Sequence, residues 1–303
     1  MRKKILIACR ASNLAVRQAE IVIKRLKKFY PNFQFSLKKV ITSADRFSNV
    51  SLRNFPQEGV FVKELEKGLL NGTIDIAVHS AKDMPMNTPK DLVVHSVLKR
   101  ENPSDCLISR NHLKLKDLPY SAKIGTGSLR RIIQLKNIRR DLNFVEIRGN
   151  LETRIKKMHL LGLDGIVLAY AGLKRLGLSK HIAEILDILP SPGQGAIFLE
   201  TKDDNPFIEK IVRKLNHKNT FLEINIEKEL LQKLGGGCNL PLGAIAKIKG
   251  SRVSLKAAIG FRDAEVYFSD EISCSIKYAG KLGGKMAGLF IKRGAGKLLQ
   301  YLK

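Results

Sequence analysis

Over its first two-thirds the chain alternates short apolar runs with amphipathic stretches, and this alternation restricts the fold more than any other feature. Ile5–Cys9 reads as a strand. A helix follows over Leu14–Phe29, with Leu14, Ala15, Ile21, Val22, Leu26 and Phe29 apolar and Ser12 or Asn13 as its cap. Phe35–Ile41 is a second strand, and Phe61–Leu70 a helix with Phe61, Leu65 and Leu69 on one face, stopped by Asn71-Gly72. Ile74–His79 is almost continuously apolar, as expected of a strand covered on both faces in a parallel sheet. The pattern then restarts. Lys123–Gly125 leads into a loop and a helix from Ser128, Phe144–Ile147 is a strand, Asn150 caps a helix over Leu151–His159, and Gly165–Tyr170 is another buried strand. Strands alternating with helices imply βαβ units, and two such series suggest two similar α/β lobes.

The last third differs. Ser191-Pro192-Gly193-Gln194-Gly195 is rich in chain breakers and reads as a crossing between domains. A helix over Phe221–Leu234 ends in three glycines, strands follow at Ala244–Ile248, Val253–Gly260 and Glu265–Ile272, and a helix closes the chain. Grouped strands with helices to one side describe a small α+β domain. The expected division is residues 1–98, completed by about 196–215, then 99–195, then 216–303. A chain of 303 residues can supply each part with a core.

Composition narrows the class. The formal net charge is +26, which invites an anionic partner, although abundant Lys, Ile and Asn are also what drift toward AT-rich codons produces. We assign the bulk of the charge to a solvated surface and reserve function for arginines at element ends. Aromatic residues make up 6% and Trp is absent, which argues against a stacking platform for single-stranded nucleic acid. Cys9, Cys106, Cys238 and Cys274 lie far apart, without the spacing of a zinc site or a disulfide framework, and point to a reducing, cytoplasmic compartment. Ile5–Cys9 is too short for a signal peptide, and no run approaches the roughly 20 apolar residues of a membrane span.

The chemistry-bearing residues gather at predicted strand ends, where open α/β sheets place their ligands. They are Arg10, Ser12, Ser80, Lys82, Asp83, Thr126, Ser128, Arg130, Arg131, Arg148 and Arg154. Any one of them can be a cap or a surface charge, but several arginines together suit a ligand with several carboxylates. Asp83 can hydrogen-bond an N–H and offset positive charge in a reacting ligand, or simply end a turn. His79 continues the apolar run and reads as a packed strand residue. Gly125–Ser128 is a weak phosphate-cradle signal. Cys238, in Gly235-Gly236-Gly237-Cys238-Asn239-Leu240-Pro241, is open to three readings: nucleophile, covalent tether or small buried residue. No metal-ligand spacing is evident.

Several longer segments together carry a family resemblance. They are Phe61–Glu66, Asp75–Pro85, Gly125–Arg131, Arg148-Gly149-Asn150 with Thr153-Arg154, Leu168–Arg175, Gly193-Gln194-Gly195 and Gly236–Pro241. In these the chain resembles the porphobilinogen deaminase family, also called hydroxymethylbilane synthases, transferases of tetrapyrrole and heme biosynthesis. The resemblance implies two periplasmic-binding-protein-like α/β lobes around a cleft plus a small C-terminal α+β domain. It implies a dipyrromethane cofactor thioether-linked to Cys238. It also implies an activity that adds four porphobilinogen units head-to-tail with loss of ammonia and releases the product by hydrolysis. Asp83 would be catalytic, stabilising positive charge at a pyrrole nitrogen. Ser80, Lys82, Thr126, Ser128, Arg130, Arg131, Arg148, Gly149 and Arg154 would bind the cofactor. Arg10, Ser12, Arg148, Arg154, Arg175 and Gln194 would bind substrate. A monomer without nucleic-acid or membrane partners is expected.

The chain also departs from the family pattern. Cys9 stands where Thr or Ser is usual, Gly127 where Ser is usual, Thr201-Lys202 where Cys-Arg is more typical, and Asn54 and Glu58 occupy a loop that commonly carries lysines. None of these touches Asp83 or Cys238. The alternative from another class is a noncatalytic two-lobe binder of a polycarboxylate, which would need neither residue.

Overall fold

The structure is a computed structural model and describes residues 4–42, 62–85, 87–236, 240–261 and 264–299. Cys238, Asn54, Glu58 and Phe61 lie outside the described residues. The chain divides into two compact units, Met1–Glu101 with Gly195–Phe221, and Asn102–Gln194 with Leu222–Lys303.

The first unit is built on a five-stranded sheet. Strands β1 (Lys4–Arg10), β2 (Gln34–Val40), β3 (Ile76–Ser80), β4 (Leu92–Val97) and β10 (Ile197–Lys202) lie in the order β2-β1-β3-β10-β4. The helix Asn13–Phe29 buries Ala19, Val22 and Leu26 against Ile5, Ile7, Ile76 and Val78, and the helix Pro206–Arg213 adds Ile208 and Ile211 to the same core. On the other face Ala8 and Ala77 meet Leu65 and Leu69 of the helix Lys63–Leu70. Both faces of β3 are therefore covered, which is why its sequence is apolar without alternation.

The second unit repeats the pattern. Strands β5 (Asp105–Ser109), β6 (Lys123–Gly125), β7 (Asn143–Val145), β8 (Gly165–Ala169) and β9 (Glu184–Ile185) lie in the order β7-β6-β8-β5-β9. The sheets are mixed, joining parallel and antiparallel pairs. Four of the five strands of each sheet run in one direction, and the fourth place in the order is taken by the single antiparallel strand, β10 in the first unit and β5 in the second. Each of these two is the first strand formed after the chain passes from one unit to the other. It joins its sheet from outside the βαβ succession and is free of the parallel rule that succession imposes.

The rest of the second unit is an antiparallel sheet, β11 (Leu242–Lys249), β12 (Arg252–Phe261) and β13 (Val266–Ser275), in sequential order. Ile226 and Leu230 from the helix Lys218–Lys233, and Met286 and Phe290 from the helix Leu282–Lys292, pack on Leu255 and Ile259 of β12. This small core is distinct from those of the α/β sheets, as an α+β domain requires. Gly260 marks where β12 meets the helix Leu129–Ile138: a Cβ there would sit 2.3 Å from Ile133 Cγ2. Glu227, fully buried, accepts from the backbone N–H of Gly193 (2.8 Å) and of Ala246 (2.9 Å), tying the Ser191–Gly195 segment to the C-terminal sheet.

Candidate active site

In the first unit the candidate residues sit at the carboxyl ends of two parallel strands. Arg10 ends β1, and Ser12 caps the next helix by accepting from the Ala15 N–H at 3.4 Å. Ser80 ends β3, with its Oγ 2.9 Å from Nε2 of Gln18, a residue buried in the helix Asn13–Phe29. A single 3-10 turn, Ala81–Asp83, follows at once, so Lys82 and Asp83 are carried half-buried at the strand exit. Its start is fixed by the Ala81 N–H donating to the Ala196 carbonyl at 3.1 Å. Beneath this turn is a buried polar group that the sequence did not disclose. His79 Nε2 lies 3.0 Å from Glu200 Oε2, and both side chains are buried. Glu66, from the helix Lys63–Leu70, is buried nearby; burial raises its carboxyl above the ordinary value, and the charge of Glu200 adds to the rise. His79 is therefore packed, as its sequence context implied, but packed against an acid.

The second unit holds the arginines. Thr126 is buried after β6, and its Oγ1 accepts from the Ser128 N–H at 3.2 Å as the helix Leu129–Ile138 begins. Gly125 has a packing reason, since a Cβ would fall 2.8 Å from Ile147, Leu163 and Ile166 side-chain carbons. The weak cradle signal of this loop thus reduces to a close approach of side chains. Arg130 and Arg131, in the first turn of that helix, are only 5% and 6% exposed. Between them sits Asp105 at the head of β5, fully buried, with Oδ2 2.7 Å from Arg130 Nη1 and Oδ1 2.7 Å from Arg131 Nη2. Burial alone would raise the Asp105 carboxyl; the two guanidiniums outweigh it and hold the group well below the usual carboxylate range. Burial also pulls Arg130 below its ordinary value, with Asp105 opposing.

Other candidates lie on adjoining loops of the same unit. Arg148 donates from Nε (2.8 Å) and Nη2 (2.6 Å) to Glu146 Oε1. Arg154 Nε donates to the Gly149 carbonyl at 2.8 Å, and Gly149 holds φ at 114°, a left-handed angle suited to glycine. Asn150 caps the helix Leu151–Leu160 by accepting from the Thr153 N–H at 2.8 Å. Arg175 ends the short helix Tyr170–Arg175, half-buried. Gln194 is 1% exposed, and its Nε2 donates to the Pro103 carbonyl (2.7 Å) and to Asp105 Oδ1 (2.9 Å).

The arrangement can bind anions. Arg130, Arg131, Arg148 and Arg154 are brought into one unit, while Arg10, Lys82 and Asp83 belong to the other. Arg131 Nε is buried without a hydrogen-bond partner, and two adjacent guanidiniums face one built-in carboxylate. That donor set fits a polycarboxylate such as a dipyrromethane with acetate and propionate arms. Sequence reasoning missed Asp105, Glu146, Glu200 and Glu66. The one signal available was Asp105 itself, an acid heading the apolar run Cys106-Leu107-Ile108. Among the described residues no cluster of His, Cys, Asp and Glu could hold a metal ion, and no helix is long and apolar enough to cross a membrane.

Comparison with known proteins agrees along the whole length. The family description "Porphobilinogen deaminase, dipyromethane cofactor binding domain" matches residues 5–210, and "Porphobilinogen deaminase, C-terminal domain" matches residues 221–292. Porphobilinogen deaminase of Carboxydothermus hydrogenoformans is 40% identical over 306 residues, covering 100% of this chain and 98% of that protein. The protein of the same name from Chlorobium limicola is 41% identical over 310 residues, covering 100% and 99%. With matches of this extent and identity, the chain belongs to the porphobilinogen deaminase family.

Proposed function

We propose that this chain is a transferase that joins porphobilinogen units head-to-tail, with loss of ammonia, onto a dipyrromethane held through Cys238. The observation that carries the reading is the buried Arg130–Arg131 pair, two cations against the single carboxylate of Asp105. A buried surplus of positive charge is costly unless a ligand brings the missing anion, and every pyrrole of this chemistry brings two. Arg130, Arg131, Arg148 and Arg154 hold cofactor carboxylates, with Thr126, Ser128, Ser80 and Lys82 adding hydrogen bonds and Gly149 leaving its backbone accessible. Arg10, Ser12, Arg148, Arg154 and Arg175 serve incoming substrate. Gln194 acts through Asp105 rather than by direct contact.

When bound, the dipyrromethane supplies the primer to which substrate units are joined. The chain's own part is orientation and charge. Asp83 offers a carboxylate to the substrate pyrrole N–H, where positive charge develops as ammonia departs; a fixed counter-charge there stabilises the transition state without reorganising water. The arginines fix the carboxylate arms so that each addition is effectively intramolecular. We further propose that the protein acts as a cytoplasmic monomer without nucleic acid, and that residues 1–98 with about 196–215, 99–195 and 216–303 are its three domains. Incubation of the full chain with porphobilinogen tests the function: ammonia should be released in step with pyrrole consumed, and a linear tetrapyrrole should accumulate. Binding of porphobilinogen with no ammonia released would contradict it.

A further inference from the structure

We propose that Asp105 is a positioning residue: it clamps Arg130 and Arg131 in one orientation before any ligand arrives and limits the pair to a surplus of one positive charge. The proposal rests on the reading that these arginines take cofactor carboxylates, and goes beyond it by naming what aims them. The two guanidiniums are held differently, Arg131 at two nitrogens and Arg130 through one. Arg131 donates from Nη2 to Asp105 Oδ1 (2.7 Å) and from Nη1 to the Val167 carbonyl (2.8 Å). Arg130 Nη1 lies 2.7 Å from Asp105 Oδ2 and donates to the Leu189 carbonyl at 2.6 Å. Arg131, a planar fork fixed at two nitrogens, cannot turn, and Arg130 is tied through Nη1 to both the carboxylate and a backbone carbonyl, so much of the ordering that a flexible arginine would undergo on binding is already complete.

Asp105 is itself held. Gln194 Nε2 donates to Oδ1 at 2.9 Å and, through its second hydrogen, to the Pro103 carbonyl at 2.7 Å. Gln134 extends the frame, donating from Nε2 to the Leu189 carbonyl (2.9 Å) and accepting from the Leu189 N–H (2.7 Å). The carbonyl that steadies Arg130 is thus fixed by the same helix that carries Arg130. Charge gives the second half of the argument. Two neighbouring buried guanidiniums repel, and one carboxylate between them leaves a net of one, which a single ligand carboxylate neutralises. Asparagine at this position would keep the shape and one acceptor oxygen, yet raise the surplus to two and release one arginine.

The test uses the full chain and porphobilinogen as the probe. Wild type and Asp105→Asn are compared at equal folded concentration, reading acquisition of the pyrrole adduct by intact mass and KM against kcat. Asp105→Asn should acquire the adduct roughly 100-fold more slowly, the scale of loss when binding groups are slightly misplaced, with KM raised more than kcat is lowered. Adduct formation within about twofold of a loaded wild type would overturn the proposal alone. A wild type that never carries an adduct would overturn the functional reading and this proposal with it. Should Asp105→Asn fail to fold, nitrogen NMR of the arginine side chains in the adduct-free Cys238→Ala chain decides. Slow Cζ–Nη rotation in two buried guanidiniums is expected, and rapidly averaged signals from both would overturn the clamp.

Discussion

The two α/β sheets share one strand pattern and differ in the charge they bury. In the first unit the polar residues under the strand ends are acids: Glu66 and Glu200, with His79 against Glu200, behind the turn that carries Asp83. In the second they are bases: Arg130 and Arg131, with Asp105 between them. A single topology has thus been given opposite polarity in its two copies. The difference matches the two demands of the proposed chemistry, a carboxylate where cationic character develops and guanidiniums where carboxylate arms must be held. Architecture alone would not have assigned those roles, because the strand order is the same in both sheets and the side chains are not.

The comparison can be broken most directly at the buried pair. Arg131→Met leaves Asp105 with one guanidinium and should cost about 3–5 kcal/mol in denaturant unfolding, the range for breaking a buried ion pair. Glu200→Gln in the first unit keeps a hydrogen-bonding group against His79 and should cost less, on the order of 1–3 kcal/mol. The reverse ranking would show that the acids, not the arginines, are the strained set.

Next in size is the carboxylate proposed to be catalytic. Asp83→Asn preserves shape and removes charge, so fold and adduct should persist while turnover falls roughly 100- to 1,000-fold. Near-normal turnover would leave the first unit with no chemical part. The smallest expected effect is a pH dependence. The Glu66 carboxyl is raised above its ordinary 4.5 in the folded protein. Its favourable contribution is therefore complete below that value and lost as pH climbs through the folded pKa. Glu66→Gln should gain stability relative to wild type as pH rises above the ordinary 4.5. Asp105 has the opposite sign: its carboxyl is depressed, so its contribution is present above the ordinary 3.8 and lost only in strong acid. Parallel pH profiles for wild type and Glu66→Gln would remove the first unit's half of the contrast.

Much of the fold was legible because burial and periodicity are local. The helix read as Leu14–Phe29 is Asn13–Phe29, the strand read as Phe35–Ile41 is Gln34–Val40, and the helix read as Leu151–His159 is Leu151–Leu160. The α/β class and the separate three-stranded sheet were legible for the same reason. The strands β4, β5, β9 and β10 were not read individually. β5 and β10 join their sheets antiparallel after long excursions of chain, and nothing in Asp105–Ser109 or Ile197–Lys202 encodes that neighbour or its direction. The candidate site divides the same way. Arginines at strand ends were visible as a set, whereas their partners were not. Asp105 lies 25 residues from Arg130 and Glu200 lies 121 residues from His79, separations over which a sequence carries no sign of contact. Gln194 stood out as part of a family segment, but that its buried amide donates to Asp105 was not legible in the sequence.

The central claim is that the sulfur of Cys238 carries an acidic pyrrole primer. Intact mass of the freshly purified full-length chain, before and after addition of porphobilinogen, tests it most directly. The account predicts extra mass equal to two linked pyrroles on the wild type, a ladder of further single-pyrrole additions with substrate, and the bare chain mass for Cys238→Ala. A wild type that consumes porphobilinogen while showing only the bare mass, or a Cys238→Ala chain that keeps the adduct, would contradict it.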